Sequence, residues 1–387
     1  MADKKKIAFV ANCCIVGGVE TALINMLKVI DTEKYDISLF TNFTGNPVVA
    51  NVPPSIKLID LDQYNIKDAF SEAISNHNYR LILAILRNYA HFRLTPDPFS
   101  RTEWLYRHVD FMSLEYNCVV SYKYGVSTTA IVRNAINANR SLLWVHGELP
   151  MLNERYENAL CSYDKCFCVS DYIRSYFLEH CPSMRDKTEV FHNILDADAI
   201  IKKSQEAIND ISTDRKYVFV TVGRLGQDKG QVVIPEVASM LANAGIEFSW
   251  YLVGDGPTRH DIENGIQAYH MEDHVYLLGT KENPYPYMRA CSIYVQTSTS
   301  EGWCLTTQEA RILHKPCVVT DIPVMHEQFV DGENGIIATG TDAVALYNGI
   351  MRLIDSPELC NRIIENLERT PQDGVMELQK LYDFLDE

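Results

Sequence analysis

No apolar run in the 387 residues approaches the ~20 needed to cross a bilayer as a helix, which predicts a protein not integral to a membrane. Positive charge is scarce. Lys and Arg number 35 against 51 Asp and Glu, a formal net charge of −16 that argues against nonspecific nucleic-acid binding. The eleven cysteines include no Cys-x-x-Cys pair; Cys13 and Cys14 are adjacent, and Cys166 and Cys168 face one side of an expected strand. Neither spacing is that of a zinc site, and no nearby Cys/His pair completes one. The odd count, largely within apolar runs, predicts reduced thiols in a cytoplasm rather than a disulfide framework. Low-complexity tracts and short repeats are also lacking. So is the G-x-G-x-x-G dinucleotide fingerprint, which Gly17-Gly18-Val19-Glu20 does not fit. Asp-x-Asp pairs occur at Asp60/Asp62 and Asp196/Asp198, neither near residues 223–230 or 300–310, so no essential metal is expected.

A composition of 47% hydrophobic and 22% charged residues is that of a globular chain. Single cores stop growing near ~250–300 residues, so two domains are expected. The charge supports this division. Residues 1–205 hold 22 basic and 23 acidic side chains, whereas residues 206–387 hold 13 and 28. Basic Lys4-Lys5-Lys6 and apolar Ile7–Val10 briefly mimic a signal peptide, but Asn12 and Gly17-Gly18 interrupt it, leaving a first strand and its turn. Strands are expected near 6–12, 36–41, 56–61, 117–122, 141–146, 165–170 and 188–192. In the second half they fall near 217–223, 248–253, 275–278, 293–297 and 317–320. Helices alternate with them, among them 19–30, 80–93 and 171–180, and residues 202–215 read as a linker or short helix. This is the grammar of α/β parallel sheets covered by helices, which bind ligands beyond the C-terminal strand ends.

The segment Ser300–Ala310 is the most informative. Glu301 and Glu309 frame seven residues, and a strand, a Gly-containing loop and a helix from about Trp303 to His314 succeed one another there. The free N–H groups near Leu305 and Thr306 at that helix N-terminus suit a phosphate. Flanking carboxylates suit hydroxyls, and a diphosphate between two sets of hydroxyls describes a nucleotide-sugar. A capped helix with an ordinary exposed Glu is the alternative reading. Gly223-Arg224-Leu225-Gly226-Gln227-Asp228-Lys229-Gly230 follows a strand. Arg224 offers a planar fork and Lys229 a point charge, so the loop reads either as the other jaw of a diphosphate clamp or as a solvated turn. Gly254-Asp255-Gly256-Pro257 reads as a structural turn. His146 ends a strand at a glycine, a place for either a structural histidine or a functional one. Asn193 reads as a turn former and Asp196 as a helix start.

Between 79 and 108, Arg80, Arg87, Arg93, Arg101 and Arg107 interleave with Tyr89, Phe92, Phe99, Trp104 and Tyr106. The segment fits solvated helices, or a surface for anionic lipid headgroups or a lipid-diphosphate acceptor. Residues 374–385 form an amphipathic pattern.

Together these motifs resemble, in the expected order and over most of the chain, a retaining GT-B glycosyltransferase of family 4. The carriers are Glu301-x7-Glu309 with its Glu301-Gly302-Trp303 opening, Val222-Gly223-Arg224-Leu225 with Lys229-Gly230, Gly254–Pro257, Gly17–Glu20 and the 193–196 junction. The resemblance implies two Rossmann-like doubly wound domains facing a central cleft: 1–205 on the acceptor side, 206–370 binding the nucleotide-sugar, and 371–387 crossing back to the first. It implies that Arg224 and Lys229 hold the diphosphate, with Glu301 on hydroxyls of the donor sugar and Glu309 on the ribose. Leu305 and Thr306 N–H groups would cap the phosphate, and His146 would sit over the sugar. Gly18 would line the cleft, and 279–282, Lys281 among them, would contact the base, chiefly through backbone. Trp303 in place of the more frequent Phe, and the polar Thr306-Thr307-Gln308, depart from the pattern and bear on donor identity. The implied partners are a nucleoside-diphosphate sugar, UDP-sugar favoured, and a glycan or lipid-linked acceptor, with neither cofactor nor nucleic acid. The implied place is the cytoplasm, at the inner face of the membrane if 79–108 touches lipid. A sugar-nucleotide epimerase or a noncatalytic carbohydrate-binding relative would share the architecture; an oxidoreductase would need the missing glycine fingerprint.

Overall fold

The computed structural model describes residues 4–11, 17–42, 48–61, 115–123, 125–134, 136–148, 153–370 and 374–387, with scattered positions between 74 and 102. It divides into two compact units, Met1–Ile194 with Val375–Glu387, and Leu195–Gly374. The division falls at 194/195 rather than at 205/206. The helix Ala197–Lys203, which Asp196 caps through the Ala199 N–H, packs on helices of the second unit. The polar residues 204–216 follow without helix or strand.

In the first unit β1 (Lys5–Val10), β2 (Tyr35–Thr41), β3 (Lys57–Asp60), β4 (Glu115–Ser121), β5 (Asn137–Val145), β6 (Lys165–Cys168) and β7 (Thr188–Val190) form a parallel sheet. Its order is β3-β2-β1-β4-β5-β6-β7. The helix Leu378–Asp386 belongs to this unit. Tyr382 stacks on Tyr35 at 5.6 Å, and Arg140 lies 4.0 Å over the Phe384 ring.

The second unit holds β8 (Tyr217–Val222), β9 (Phe248–Val253), β10 (Val275–Gly279), β11 (Ile293–Gln296), β12 (Cys317–Val319) and β13 (Ile336–Ile337), also parallel, in the order β10-β9-β8-β11-β12-β13. All twelve predicted strands form within a few residues of their expected limits; the two-residue β13 is additional. Helices cover both faces of this sheet, so its strands are apolar runs rather than alternating ones. Successive β8 residues feed opposite cores. Phe219 packs with Trp250 and Leu252, whereas Val218, Val220 and Val222 pack with Tyr251 and Tyr294.

One cysteine expectation is corrected. Cys161 and Cys181 are disulfide-bonded, their Cα atoms 5.4 Å apart. Each is the residue just after a helix, Glu154–Leu160 and Asp171–His180, and the fold returns the two helix ends to one point. A separation of 20 residues leaves no local motif in the sequence. Seven other cysteines among the described residues are free thiols; Cys13 and Cys14 lie outside the described residues. Most of segment 79–108, including most of the helix expected at 80–93, lies outside them too, as does Asp62.

Candidate active site

In each sheet the strand order reverses beside a central strand, and an open α/β sheet binds ligands beyond the C-terminal strand ends at such a reversal. In the second unit the reversal lies between β8 and β11. The segments leaving those two strands are 223–230 and 297–304, the two loops singled out in the sequence.

Glycine geometry welds these loops together. Gly230 has φ +64°, and a Cβ there would meet the Thr297 carbonyl oxygen at 2.1 Å. A backbone bond from the Thr299 N–H to the Asp228 carbonyl (2.9 Å) and a side-chain bond from the Thr297 hydroxyl to the Lys229 carbonyl (2.7 Å) complete the junction. Gly254, at φ +144°, lets its turn approach just as closely, since a Cβ would lie 1.9 Å from the Gly223 carbonyl oxygen. Asp255 does bond its own turn, accepting from the Gly256 N–H at 2.8 Å.

This junction brings Lys229 and Glu301 together across 72 residues. The ammonium donates to Glu301 Oε1 at 2.6 Å, and the Ser298 hydroxyl donates to the same oxygen at 2.8 Å. Burial pulls the Lys229 pKa down, but the charge of Glu301 leads a set of neighbours that outweighs it and leaves the pKa above its ordinary value. Arg224 is more exposed and pairs with Asp228 at 2.7 Å. Leu305 and Thr306 open the helix Leu305–Ile312. Its cap residue Cys304 supplies no side-chain bond, so the first N–H groups keep the uncapped dipole end that suits an anion.

Glu309 points elsewhere on the same helix. It is buried, with the Tyr285 hydroxyl donating to it at 3.2 Å. Burial raises its pKa to about 7, against a smaller opposing pull from that hydroxyl. Lys281 donates to Asp210 at 2.6 Å, an oxygen that also accepts from Tyr287 at 2.9 Å. Its ammonium is thus held on the 204–216 segment.

In the first unit His146 follows β5 and is 8% exposed. Its ring lies 4.7 Å from Tyr122 and parallel to Trp144. Neither ring nitrogen makes a hydrogen bond of ordinary geometry among the described residues. Burial lowers its pKa to about 3, against a partial offset from the Tyr122 backbone, so the imidazole is neutral at physiological pH. Gly18 begins the helix Gly18–Val29, whose buried Glu20 accepts from Lys123 at 2.7 Å.

The structure therefore gathers Lys229, Glu301, Leu305 and Thr306 at one strand-end junction, with Arg224 on the same loop as Lys229. Gly18 and His146 belong to the other unit. Sequence reasoning missed Ser298 and Tyr285, the hydroxyl partners of the two motif glutamates, and Gln296 behind Ser298. Gln296 ends an otherwise apolar strand, the one signal that marked it.

Comparison with known proteins accords with this geometry. Residues 202–370, most of the second unit, match the family described as Glycosyl transferases group 1. An uncharacterized glycosyltransferase of Methanocaldococcus jannaschii is 27% identical over 238 residues, 59% of this chain and 62% of that protein. A Campylobacter jejuni N-acetylgalactosamine-N,N'-diacetylbacillosaminyl-diphospho-undecaprenol 4-alpha-N-acetylgalactosaminyltransferase is 25% identical over 174 residues, 45% of this chain and 46% of that protein. The matches thus span less than two thirds of either relative's length. Anabaena HepE in complex with UDP and glucose superimposes with a TM-score of 0.72 at 16% identity, over 99% of both chains. The fold is GT-B, two Rossmann-like α/β units of parallel sheet.

Proposed function

We propose that this chain is a retaining, metal-independent glycosyltransferase of family 4 that moves a sugar from a nucleoside-diphosphate sugar, by preference a UDP-sugar, to a glycan or lipid-linked acceptor. The observation that carries the reading is the Lys229–Glu301 pair, held at the β8/β11 reversal beside an uncapped helix N-terminus. A diphosphate needs cationic and N–H partners, which Arg224, Lys229 and the Leu305 and Thr306 amides supply. A sugar and a ribose need hydroxyl acceptors, which Glu301 and Glu309 supply. Gly18, His146 and Lys281 take the donor-contact roles that the family resemblance assigns them.

The chemistry follows from where charge grows. As the anomeric C–O bond to the diphosphate breaks, negative charge develops on the leaving oxygen and positive charge on the sugar ring. Fixed cations and N–H groups aimed at the leaving oxygen stabilise that state without reorganisation. The acceptor oxygen bonds to the anomeric carbon on the face the diphosphate leaves, and its proton passes to the departing phosphate oxygen. No carboxylate nucleophile is needed for this step. UDP bound to HepE and an undecaprenol-linked acceptor in the name of the Campylobacter relative support donor and acceptor by analogy. The arginine- and aromatic-rich 79–108 segment supports a peripheral contact with the cytoplasmic membrane surface, where polysaccharide or glycoconjugate assembly takes place.

The test incubates the protein with UDP-glucose, UDP-N-acetylglucosamine and GDP-mannose, with and without EDTA, and follows nucleoside diphosphate release. Release from one donor, unaffected by EDTA, with the anomeric configuration kept in the product by NMR, is expected. Inversion, EDTA sensitivity or conversion of the donor to an epimer without release would each overturn the corresponding part.

A further inference from the structure

Glu301 sits at the end of a buried chain of hydrogen bonds. The Ser298 hydroxyl donates to its Oε1 at 2.8 Å, and Gln296 Nε2 donates to Ser298 Oγ at 2.8 Å. Gln296 Oε1 in turn accepts from the Tyr294 hydroxyl at 2.8 Å and from the Thr306 hydroxyl at 3.2 Å. Tyr294 accepts from the Val222 N–H at 3.4 Å, the last residue of β8 before the glycine loop. Tyr294, Gln296 and Ser298 are all at most 1% exposed. A buried amide at the end of an apolar strand is costly unless it is hydrogen-bonded, and here both its oxygen and its nitrogen have partners.

The direction of the chain follows from one end. An ionised carboxylate only accepts, so Ser298 must donate to Glu301 and can then only accept from Gln296. That fixes the amide nitrogen toward Ser298 and the amide oxygen toward Tyr294 and Thr306. Gln296 is thereby tied to each part of the site: the β8 loop through Tyr294, the helix N-terminus through Thr306, and the motif carboxylate through Ser298. Oε1 of Glu301 is occupied twice, by Ser298 and Lys229, so Oε2 is the oxygen left to face a ligand.

We propose that Gln296 and Ser298 are positioning residues that present Glu301 Oε2 to a hydroxyl of the donor sugar. The inference rests on the function proposed above and deepens it. Neither side chain touches the donor; both act through the orientation of Glu301. The relay serves the sugar and leaves the nucleotide end of the site to Glu309 and the helix N-terminus.

Isothermal titration of the full chain with UDP, UDP-glucose and UDP-N-acetylglucosamine, on wild type, Ser298→Ala and Gln296→Met, separates the possibilities. UDP affinity in both variants should stay within about twofold of wild type, while affinity for the sugar nucleotide relative to UDP falls about tenfold. Thermal melting of the same samples reports stability separately. An unchanged ratio overturns the proposal, and so does an equal loss for UDP and UDP-sugar, which would mark the relay as structural. If the wild type binds none of the three, the functional reading itself fails, an outcome distinct from either.

Discussion

The two units share one plan and spend their polar residues differently. At the β8/β11 reversal of the second unit, a lysine, a glutamate, a buried amide and three hydroxyls form one connected network with the N-terminal turn of a helix. Beside β4 and β5 of the first unit the described residues include a Glu20–Lys123 pair and a buried neutral His146. The charge runs the other way. Residues 206–387 carry 28 acidic and 13 basic side chains, yet they hold the cations suited to a diphosphate. Arg224, Lys229 and Lys281 each face a carboxylate, namely Asp228, Glu301 and Asp210. Fold and net charge therefore say little about which unit takes the anionic ligand; the local arrangement decides.

Removing the central cation breaks the comparison most severely. In Lys229→Ala the Glu301 carboxylate loses its cationic partner and the leaving diphosphate loses a fixed charge. Transfer rates should fall at least about a hundredfold, the scale of one lost transition-state contact. A variant retaining wild-type kcat would remove the electrostatic account. His146→Ala, in the other unit, should by comparison leave UDP affinity unchanged.

Gly230→Ala comes next and acts through the backbone. A side chain at φ +64° that meets the Thr297 carbonyl at 2.1 Å forces the two loops apart. A loss of stability above about 1–2 kcal/mol is expected from the strained conformation alone. Denaturant unfolding measures it, and Gly245→Ala serves as control, since that glycine has a positive φ of +74° but nothing within 4 Å of an added Cβ.

A pH dependence sharpens the contrast between the two buried titratable groups. Glu309, with its pKa raised to about 7, favours the protonated form until hydroxyl donors reach it. Nucleotide affinity should therefore rise between pH 6 and 8 with proton release, and Glu309→Gln should flatten the profile while weakening binding. The stability effect has the opposite sign. A raised carboxyl pKa favours the fold at low pH, and that contribution is lost as pH rises through about 7, so Glu309→Gln should melt higher than wild type at pH 8 without nucleotide. His146, lowered to about 3, should contribute no titration in this range, which NMR of the imidazole protons checks.

Much of this was legible in the sequence. The parallel-sheet grammar showed in runs such as Phe248–Val253, and the Glu301-x7-Glu309 spacing located the helix N-terminus to within two residues. What escaped were contacts between residues distant in sequence. The Cys161–Cys181 bond depends on two helices ending together. The Glu309–Tyr285 contact joins side chains 24 residues apart, and Lys281 is held by Asp210 from 71 residues away. Gln296 was hidden in another way. It interrupts an apolar strand, and only the side chains converging on it show why a polar group belongs there.

The central claim is that the strand-end junction of the second unit binds a nucleoside diphosphate. Thermal stabilisation by UDP, GDP, ADP and NAD, measured on wild type, Lys229→Ala and Glu309→Ala, tests it most directly. Selective stabilisation by one nucleoside diphosphate, UDP by preference, that is lost in both variants is the predicted result. Stabilisation by NAD alone, or by a nucleotide whose effect both variants keep, would contradict it.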